Sequence, residues 1–218
     1  MLYHKKKINN IYNFIHKPSF SLKKKIKLES GNYIINPKIA YKTYGKLNKQ
    51  KSNAILICHA LTGDQYAAGE HPVTKKKGWW NDLIGKGKVF DTDKYFVISS
   101  NVLGGCMGTT GPNSLNPETN KIYGLKFPEI SIKDMVAIQV ELVNSFEIEK
   151  LFCVVGGSMG GMQVLEWGKN YSNRVKLLIP IATSFRHTAQ NIAFHEAGRQ
   201  AIKADPNWNE GNYINSKY

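Results

Sequence analysis

A serine lies among glycines at residues 156–160, in the sequence Gly-Gly-Ser-Met-Gly. The segment follows an apolar run at residues 151–155 and precedes apolar residues at helical spacing. A Gly-x-Ser-x-Gly pattern between a strand and a helix is typical of a nucleophile elbow, a strained turn that exposes the serine hydroxyl. Flanking glycines are needed because a Cβ atom there would collide with the adjacent strand and helix. The pattern alone is weak, but its setting predicts that Ser158 is a nucleophile rather than part of a glycine-rich turn.

A serine that attacks an acyl group needs hydrogen-bond donors for the oxyanion that forms. One donor is the backbone amide after the nucleophile, here Met159, and the other comes from the loop after an earlier strand. The apolar run at residues 54–58 leads into the sequence HALTG at residues 59–63. By position, we predict that the backbone amide of Leu61 is the second oxyanion donor. We interpret His59 as a structural hydrogen-bonding residue rather than a general base.

The nucleophile also needs a histidine base and an acid that orients it, and in this architecture the acid and then the histidine follow the serine. Downstream of Ser158 the histidines are His187 and His195, and Glu166 is the acid that precedes them. Glu166 falls on the helix after the elbow, where we interpret it as a surface residue. We therefore expect the triad acid and histidine to lie beyond Tyr218, and the chain to be an N-terminal fragment that is inactive alone. A non-catalytic relative, or a wrongly assigned elbow, would explain the same pattern.

Strands and helices alternate along the part of the chain that must position the serine. Four short apolar runs are typical of strands buried on both faces: residues 54–58, 95–99, 151–155 and 175–181. Ser131 and Asp134 predict the start of a helix, the serine as N-cap and the acid in the first turn. The alternation predicts an α/β fold with a mostly parallel sheet and helices on both faces.

Other segments add detail to this fold. Residues 25–44 carry the alternating pattern of an antiparallel strand pair. Two connections, residues 59–94 and 100–130, are rich in Gly, Pro, Asn and Thr. They leave the carboxyl ends of predicted strands, which is where ligands bind in such sheets, so we expect both connections to be functional.

The chain is strongly basic, with a formal net charge of +14. Of the 30 Lys and Arg residues three are arginine, which leaves 27 lysines spread along the chain. Proteins that read nucleic acids tend to use arginine, so we interpret the lysines as a solvated surface and expect no nucleic-acid partner. A weaker interpretation is that the positive potential attracts an anionic substrate such as a phosphorylated cofactor.

The cysteines and the apolar runs bear on the location of the protein. Cys58, Cys106 and Cys153 are odd in number, and two lie in strand-like runs, so we expect a reduced protein without disulfide bonds. We interpret Cys106 as a small packing residue rather than a second nucleophile, since no cationic partner is evident. The first 18 residues lack the apolar stretch of a signal peptide, and no run approaches the roughly 20 apolar residues that span a bilayer. We expect a cytoplasmic protein with no membrane partner.

Five motifs occur together and in a fixed order. They are HALTGD at residues 59–64, GWW at 78–80, NVLGGCMGTTGP at 101–112, GGSMGGMQ at 156–163, and Ser184 followed by AQNIAF at 189–194. Together they make the chain similar to the homoserine O-acetyltransferases of the α/β-hydrolase fold, from about residue 25 onward.

The resemblance implies transfer of an acetyl group from acetyl-CoA to the hydroxyl of L-homoserine through a seryl acyl-enzyme, a step in methionine biosynthesis. It assigns Ser158 as nucleophile and the Leu61 and Met159 amides as oxyanion donors, with residues 101–112 lining the acyl pocket. Acetyl-CoA is then a co-substrate, and we expect no permanently bound cofactor and no metal. The complete protein is expected to be a homodimer.

The resemblance also implies a division of the chain. We expect a loosely ordered segment at residues 1–24, an incomplete α/β-hydrolase core at 25–186, truncated before its C-terminal strands, and the start of a helical lid at 187–218. Three alternatives stay open. The acyl donor could be succinyl-CoA, the protein could be a serine carboxylesterase, or it could be a non-catalytic α/β domain that only binds a ligand.

Overall fold

The computed structural model describes residues 18–212, and its main feature is a six-stranded sheet. The strands along the chain are β1 (Ser19–Ser21), β2 (Lys25–Lys27), β3 (Tyr33–Ile35), β4 (Lys38–Tyr44), β5 (Ala54–Cys58), β6 (Phe96–Ser100), β7 (Leu115–Asn116), β8 (Lys121–Ile122), β9 (Leu151–Gly157) and β10 (Val175–Ile181). The α-helices are α1 (Ile132–Ser145), α2 (Met159–Asn170) and α3 (Ala189–Ala204). Short 3₁₀ turns occupy Gly124–Lys126, Ser172–Arg174 and Pro206–Gly211.

The main sheet has the strand order β1-β4-β6-β5-β9-β10. Strands β6, β5, β9 and β10 are mutually parallel, whereas β4 is antiparallel to β6 and β1 is antiparallel to β4. The predicted α/β fold with a mostly parallel sheet is therefore confirmed. The carboxyl ends of β5, β6 and β9 meet at one edge of the sheet. Both long connections and the serine turn leave from this edge, as expected for a ligand-binding edge.

Apolar side chains explain why the central strands form. All five residues of β5 and all five of β6 are buried, as predicted for strands covered on both faces. One core cluster packs α1 and α2 against the sheet around Leu56, Val154 and Trp167, each with no exposed surface. The second cluster lies on the opposite face, where Ile57 and Val97 pack against the long connection after β5.

Helix α1 begins as the sequence predicted. Ser131 is its N-cap, and the Ser131 hydroxyl and the Asp134 carboxylate form a capping box with each other's backbone amides. The second oxygen of Asp134 also accepts a hydrogen bond from the Glu29 amide at 2.9 Å. One carboxylate therefore fixes both the start of α1 and the N-terminal part of the chain against it.

An antiparallel strand pair forms within residues 25–44, as predicted, although β4 is not part of it. Strand β2 pairs with β3, whereas β4 pairs with β1 on one side and β6 on the other. Strand β1, at Ser19–Ser21, falls within the segment that we expected to be loosely ordered, and hydrogen bonds to the edge of β4 order it. Residues 1–17 of that segment lie outside the described residues.

The C-terminal part of the described chain is exposed. In β10, Val175 alone is buried, and α3 has no buried residue. Helix α3 lies where the sequence predicted the start of a lid, and residues 213–218 of that predicted lid lie outside the described part. Within residues 18–212, no helix combines the length and apolar character that crossing a membrane requires.

Candidate active site

Ser158 occupies a strained turn between β9 and α2. Its backbone has φ 56° and ψ −122°, a left-handed conformation that a non-glycine residue adopts rarely. The glycines on either side explain how the turn fits. A Cβ atom on Gly160 would lie 2.0 Å from the Cys58 carbonyl oxygen, and one on Gly156 would lie 2.6 Å from the Gly160 backbone. The local sequence therefore forms the elbow that the Gly-x-Ser-x-Gly pattern predicted.

Backbone contacts hold the serine in this turn while its side chain stays exposed. The Ser158 amide donates to the Ile181 carbonyl at 3.0 Å, and the Thr183 hydroxyl donates to the Ser158 carbonyl at 2.8 Å. Ser158 directly precedes α2, so its hydroxyl lies at the positive end of the helix dipole. Within residues 18–212, the Ser158 hydroxyl makes no hydrogen bond. It is thus available to an external acyl group.

Ser158 lines a cavity of about 500 Å³ whose walls come from the long connection after β5. Trp79 and Trp80 form one wall, with ring centroids 5.0 Å apart, and the Trp79 indole N–H donates to the Asp64 carbonyl at 3.0 Å. Lys76 and Lys77 also line this cavity. The nucleophile therefore faces a cavity with aromatic and cationic sides.

Leu61 and Met159 line a second cavity of about 440 Å³. No acceptor within residues 18–212 binds either backbone amide, and the turn around Leu61 is closed by a bond from the Gly63 amide to the Ala60 carbonyl at 2.9 Å. Other side chains around this cavity are mostly apolar or small: Val73, Val102, Leu103, Cys106, Met107, Ile130 and Met135. Burial raises the pKa of the Cys106 thiol, which disfavours the thiolate and a second nucleophile.

His59 is a structural residue, as the sequence predicted. Its ring is buried, and Nδ1–H donates to the Ala60 carbonyl at 2.7 Å. Nε2 accepts from the Val102 amide at 3.1 Å, so both ring nitrogens are used and the neutral tautomer is assigned. Burial lowers the pKa of His59 and keeps the ring neutral. The ring thereby joins the loops that follow β5 and β6.

A buried polar network behind the elbow was not predicted from the sequence. Gln163 Nε2 donates to the His59 carbonyl at 3.3 Å, and Gln163 Oε1 accepts from Gln139 Nε2 at 2.7 Å. Gln139 Oε1 in turn accepts from the Trp167 indole N–H at 2.9 Å. The network ties α1, α2 and the loop after β5 together. The sequence signal for this network was the presence of two glutamines on otherwise apolar helix faces, because buried side-chain amides need hydrogen-bond partners.

A second feature missed from the sequence is the pair formed by Asp64 and His71. His71 Nε2 lies 2.9 Å from Asp64 Oδ2, and His71 Nδ1 accepts from the amides of Val73 and Thr74, each at 3.1 Å. Asp64 Oδ1 also accepts from the Tyr66 amide at 2.7 Å. Asp64 and His71 line both cavities, so this pair forms part of the wall between them.

Asp64 and His71 line the cavity of Ser158, but within residues 18–212 no acid–base pair forms a hydrogen bond with the Ser158 hydroxyl. Glu166 bonds to the Asn170 side chain on the exposed surface of α2. His187 and His195 stack on each other with ring centroids 5.2 Å apart, both exposed. Neither Glu166 nor either of these two stacked histidines lines the two cavities. The described site thus contains a candidate nucleophile and free amides, with no hydrogen bond from a histidine to the serine.

The fold and the serine turn together define a class of protein. A sequence profile of the alpha/beta hydrolase fold matches residues 53–217, and the chain belongs to that family.

Comparison with individual proteins is more specific. The homoserine O-acetyltransferase of Rhodospirillum rubrum is 59% identical over 190 residues, which are 87% of this chain and 49% of the relative. The crystal structure of a homoserine O-acetyltransferase from Bacillus anthracis superposes with a TM-score of 0.83 at 35% identity, covering 90% of this chain and 55% of that one. The resemblance inferred from the motifs is therefore confirmed. The chain spans about half the length of the curated relatives it matches.

An esterase is also similar. The crystal structure of esterase E22 superposes with a TM-score of 0.82 at 37% identity, covering 90% of this chain and 55% of that chain.

Proposed function

We propose that the protein, as the product of its complete gene, transfers an acetyl group from acetyl-CoA to the hydroxyl of L-homoserine. The observation that carries the proposal is the strained and exposed Ser158 at the start of α2, in a chain 59% identical to a homoserine O-acetyltransferase. A serine in this position can store an acyl group as an ester and pass it to a second alcohol.

The reaction then has two steps. The Ser158 oxygen attacks the thioester carbonyl carbon, its proton passes to a base, and the CoA thiolate leaves and is protonated. The homoserine hydroxyl next attacks the seryl ester, gives up its proton to the base, and releases Ser158 as the hydroxyl. In both steps the amides of Leu61 and Met159 would stabilise the oxyanion, since no internal acceptor occupies either one.

The base and its orienting acid are proposed to lie outside residues 18–212. The support is that no histidine in that part of the chain forms a hydrogen bond with Ser158, and that both ring nitrogens of His59 and of His71 are already engaged. The 218-residue chain is accordingly proposed to release no CoA in response to homoserine. The homodimeric assembly and the cytoplasmic location of the complete protein stay proposals of the same kind.

The two cavities support acetyl as the acyl group. Among residues 18–212, no lysine or arginine lines the apolar cavity beside Leu61 and Met159, and Asp64 lines it. A succinyl chain would place its terminal carboxylate there without a cation, which is unfavourable in an apolar site. Lys76 and Lys77 line the cavity of Ser158 instead, where the carboxylate of homoserine would meet positive potential.

A serine esterase is the second candidate, favoured by the similarity to esterase E22. An esterase passes the acyl group to water, whereas a transferase must exclude water until the acceptor binds. The aromatic wall of Trp79 and Trp80 beside Ser158 fits an enclosed site.

The test uses the product of the complete gene and measures CoA release with and without homoserine. We expect homoserine-dependent release, an acetyl group on Ser158 in the acid-quenched enzyme by mass spectrometry, and a loss of about 10⁴-fold or more in Ser158→Ala. Ser172→Ala, a serine substitution in the exposed turn after α2, is the matched control and should keep the wild-type rate. An unchanged rate in Ser158→Ala would refute the nucleophile, and equal acetate release with or without homoserine would establish the esterase.

A further inference from the structure

An open groove of about 1800 Å³ lies along β4. Its size exceeds the roughly 300–1,000 Å³ of sites that bind drug-sized ligands. Lys38, Lys42 and Lys46 line one side of it, and we call it the basic groove. Lys38 and Lys42 lie on the same face of β4, because residues at even spacing on a strand point the same way.

The positive charge of the basic groove is uncompensated. Lys38, Lys42 and Lys46 form no ion pair within residues 18–212. Two acids also line the groove, and each already has a partner: Glu70 lies 3.4 Å from Lys75, and Asp93 lies 3.4 Å from Lys86. An anion entering the groove would therefore meet three lysines whose charge no ion pair within residues 18–212 offsets.

Lys38 is the cation that an anion would stabilise most. Its side chain is half-buried, and burial lowers the pKa of its ammonium group. An unpaired charge that has lost part of its hydration favours binding of an opposite charge. Lys46, at the other end of the row, is exposed.

The groove leads toward the site of Ser158. Strand β4 is antiparallel to β6, with Tyr41 opposite Ser100, so Lys38 lies beyond the carboxyl end of β6. The Lys38 carbonyl accepts from the Thr110 amide at 2.8 Å, which joins this end of the groove to the loop at residues 101–112. Tyr66 lines both the basic groove and the cavity of Ser158, so the two are adjacent.

We infer that the basic groove binds the phosphate groups of the nucleotide portion of acyl-CoA, with the pantetheine arm directed past Tyr66 toward Ser158. This inference rests on the proposed function. Four residues of extended strand separate the Cα atoms of Lys38 and Lys42 by about 13 Å. Such a row suits a ligand with separate phosphate groups, and CoA carries a diphosphate and a ribose 3′-phosphate, whereas a single phosphate ion would contact one lysine.

The test measures binding to the product of the complete gene carrying Ser158→Ala, so that no turnover occurs. Calorimetric titrations compare CoA, dephospho-CoA, pantetheine and inorganic pyrophosphate. We expect affinity to fall in the order CoA, dephospho-CoA, pantetheine, and to weaken with added salt. Adding Lys38→Gln and Lys42→Gln together should raise the Kd for CoA about tenfold.

A matched double substitution controls for the change in net charge. Lys150→Gln with Lys203→Gln removes two exposed lysines outside the groove and should change the Kd for CoA less than twofold. Equal affinity of the groove variant and its parent for CoA would overturn the inference, as would an equal loss in the control pair. If pyrophosphate binds as tightly as CoA, and the groove substitutions abolish its binding, the groove is a site for free polyphosphate instead.

Kinetics separates failure of the inference from failure of the proposed function. In the enzyme with Ser158 intact, the groove substitutions should lower the ratio of kcat/KM for acetyl-CoA over that for S-acetylpantetheine about tenfold. If transfer depends on Ser158 but the groove substitutions leave the ratio of the two kcat/KM values unchanged, the inference about the groove is refuted and the proposed function stands. If CoA binding depends on the groove lysines but the protein transfers no acetyl group to homoserine, the proposed function is refuted and the inference about the groove stands.

Discussion

The region around the elbow and the region that follows it are built from similar apolar sequences but have opposite environments. Strand β9 and helix α2 bury Val154, Val164 and Trp167 completely. In β10, the neighbour of β9, Leu177, Leu178, Ile179 and Ile181 each leave 40% to 45% of their surface exposed. Helix α3 exposes Phe194 at 71% and buries none of its residues.

This difference shows that the formation of a strand and the burial of its side chains have separate causes. Hydrogen bonds to β9 along the whole of β10 suffice to form the strand, with Val175 opposite Leu151 and Ile181 opposite Gly157. Enclosure needs a further layer, which β5 and β9 obtain from α1 and α2 and from the long connection after β5. The candidate nucleophile therefore lies in the enclosed region. Substitutions matched between the two regions can test this contrast.

The largest effect is expected at Gly160. An alanine Cβ there would lie 2.0 Å from the Cys58 carbonyl oxygen, so Gly160→Ala should lower the free energy of unfolding by about 4 kcal/mol or more. Gly198→Ala in α3 is the matched change, since a Cβ there meets open space, and it should stabilise that helix by up to about 1 kcal/mol. Urea denaturation measures the loss in Gly160→Ala, and amide hydrogen exchange within α3 measures the gain in Gly198→Ala. A small loss in Gly160→Ala would contradict the tight contact between α2 and β5.

Trp167 and Ile179 compare one apolar side chain from each region. Trp167 has no exposed surface and its indole N–H binds Gln139, so Trp167→Ala should cost about 3–5 kcal/mol. Ile179 is 41% exposed, and Ile179→Ala should cost about 1 kcal/mol. Thermal and urea unfolding of the two variants give the values. A loss at Ile179 as large as that at Trp167 would mean that β10 is covered in solution.

The pH dependence of stability should come from the enclosed histidine. Burial lowers the pKa of His59 below the usual value of about 6.5, so below that pH the unfolded state binds a proton that the folded state does not. The His59 contribution is thus present above about pH 6.5 and is lost as the pH falls, by up to about 1.4 kcal/mol per pH unit. Denaturation at pH 7, 6 and 5 should show a shallower loss in His59→Gln. His195→Gln, at an exposed site in α3, should retain the wild-type slope.

The smallest effects distinguish the two capping boxes. Ser131 caps the packed helix α1 and Thr188 caps the exposed helix α3, each through a reciprocal bond with the third helical residue. Ser131→Ala should lower the global free energy of unfolding by about 1 kcal/mol. Thr188→Ala should instead increase amide hydrogen exchange within α3 and leave global unfolding unchanged, because α3 adds no buried side chain. Equal global losses in the two variants would contradict the contrast.

The fold of the enclosed region was largely predictable because local patterns decide it. The strand at residues 54–58 was predicted with its observed bounds, and β9 runs two residues past the predicted end into the elbow. The partners of the N-terminal strands were not predictable, since alternation marks a strand without choosing its neighbour. The exposure of β10 was hidden for a similar reason: its apolar run resembles those of β5 and β9, which are buried.

Some features of the candidate site were likewise predictable from local sequence patterns, and others were not. The turn at Ser158 and the positions of Leu61 and Met159 follow from short motifs, because few sequences fit a strained turn between a strand and a helix. The pair of Asp64 and His71 depends on the course of a long connection. The bonds from Gln139 to Gln163 and Trp167 join two helices that lie apart in the sequence. Such contacts require the folded arrangement, so the sequence pattern alone leaves them open.

The three cysteines provide a means of observing the site. Cys58 and Cys153 are buried, and burial raises the pKa of Cys58 to about 12 and that of Cys153 to about 11. Cys106 is exposed on the glycine-rich loop and lines the cavity of Leu61 and Met159. Because the other two thiols are buried, a thiol-reactive fluorophore would attach selectively to Cys106 in the native protein, at a rate slowed by the raised pKa of Cys106. Its emission would report the arrival of an acyl chain in that cavity in real time.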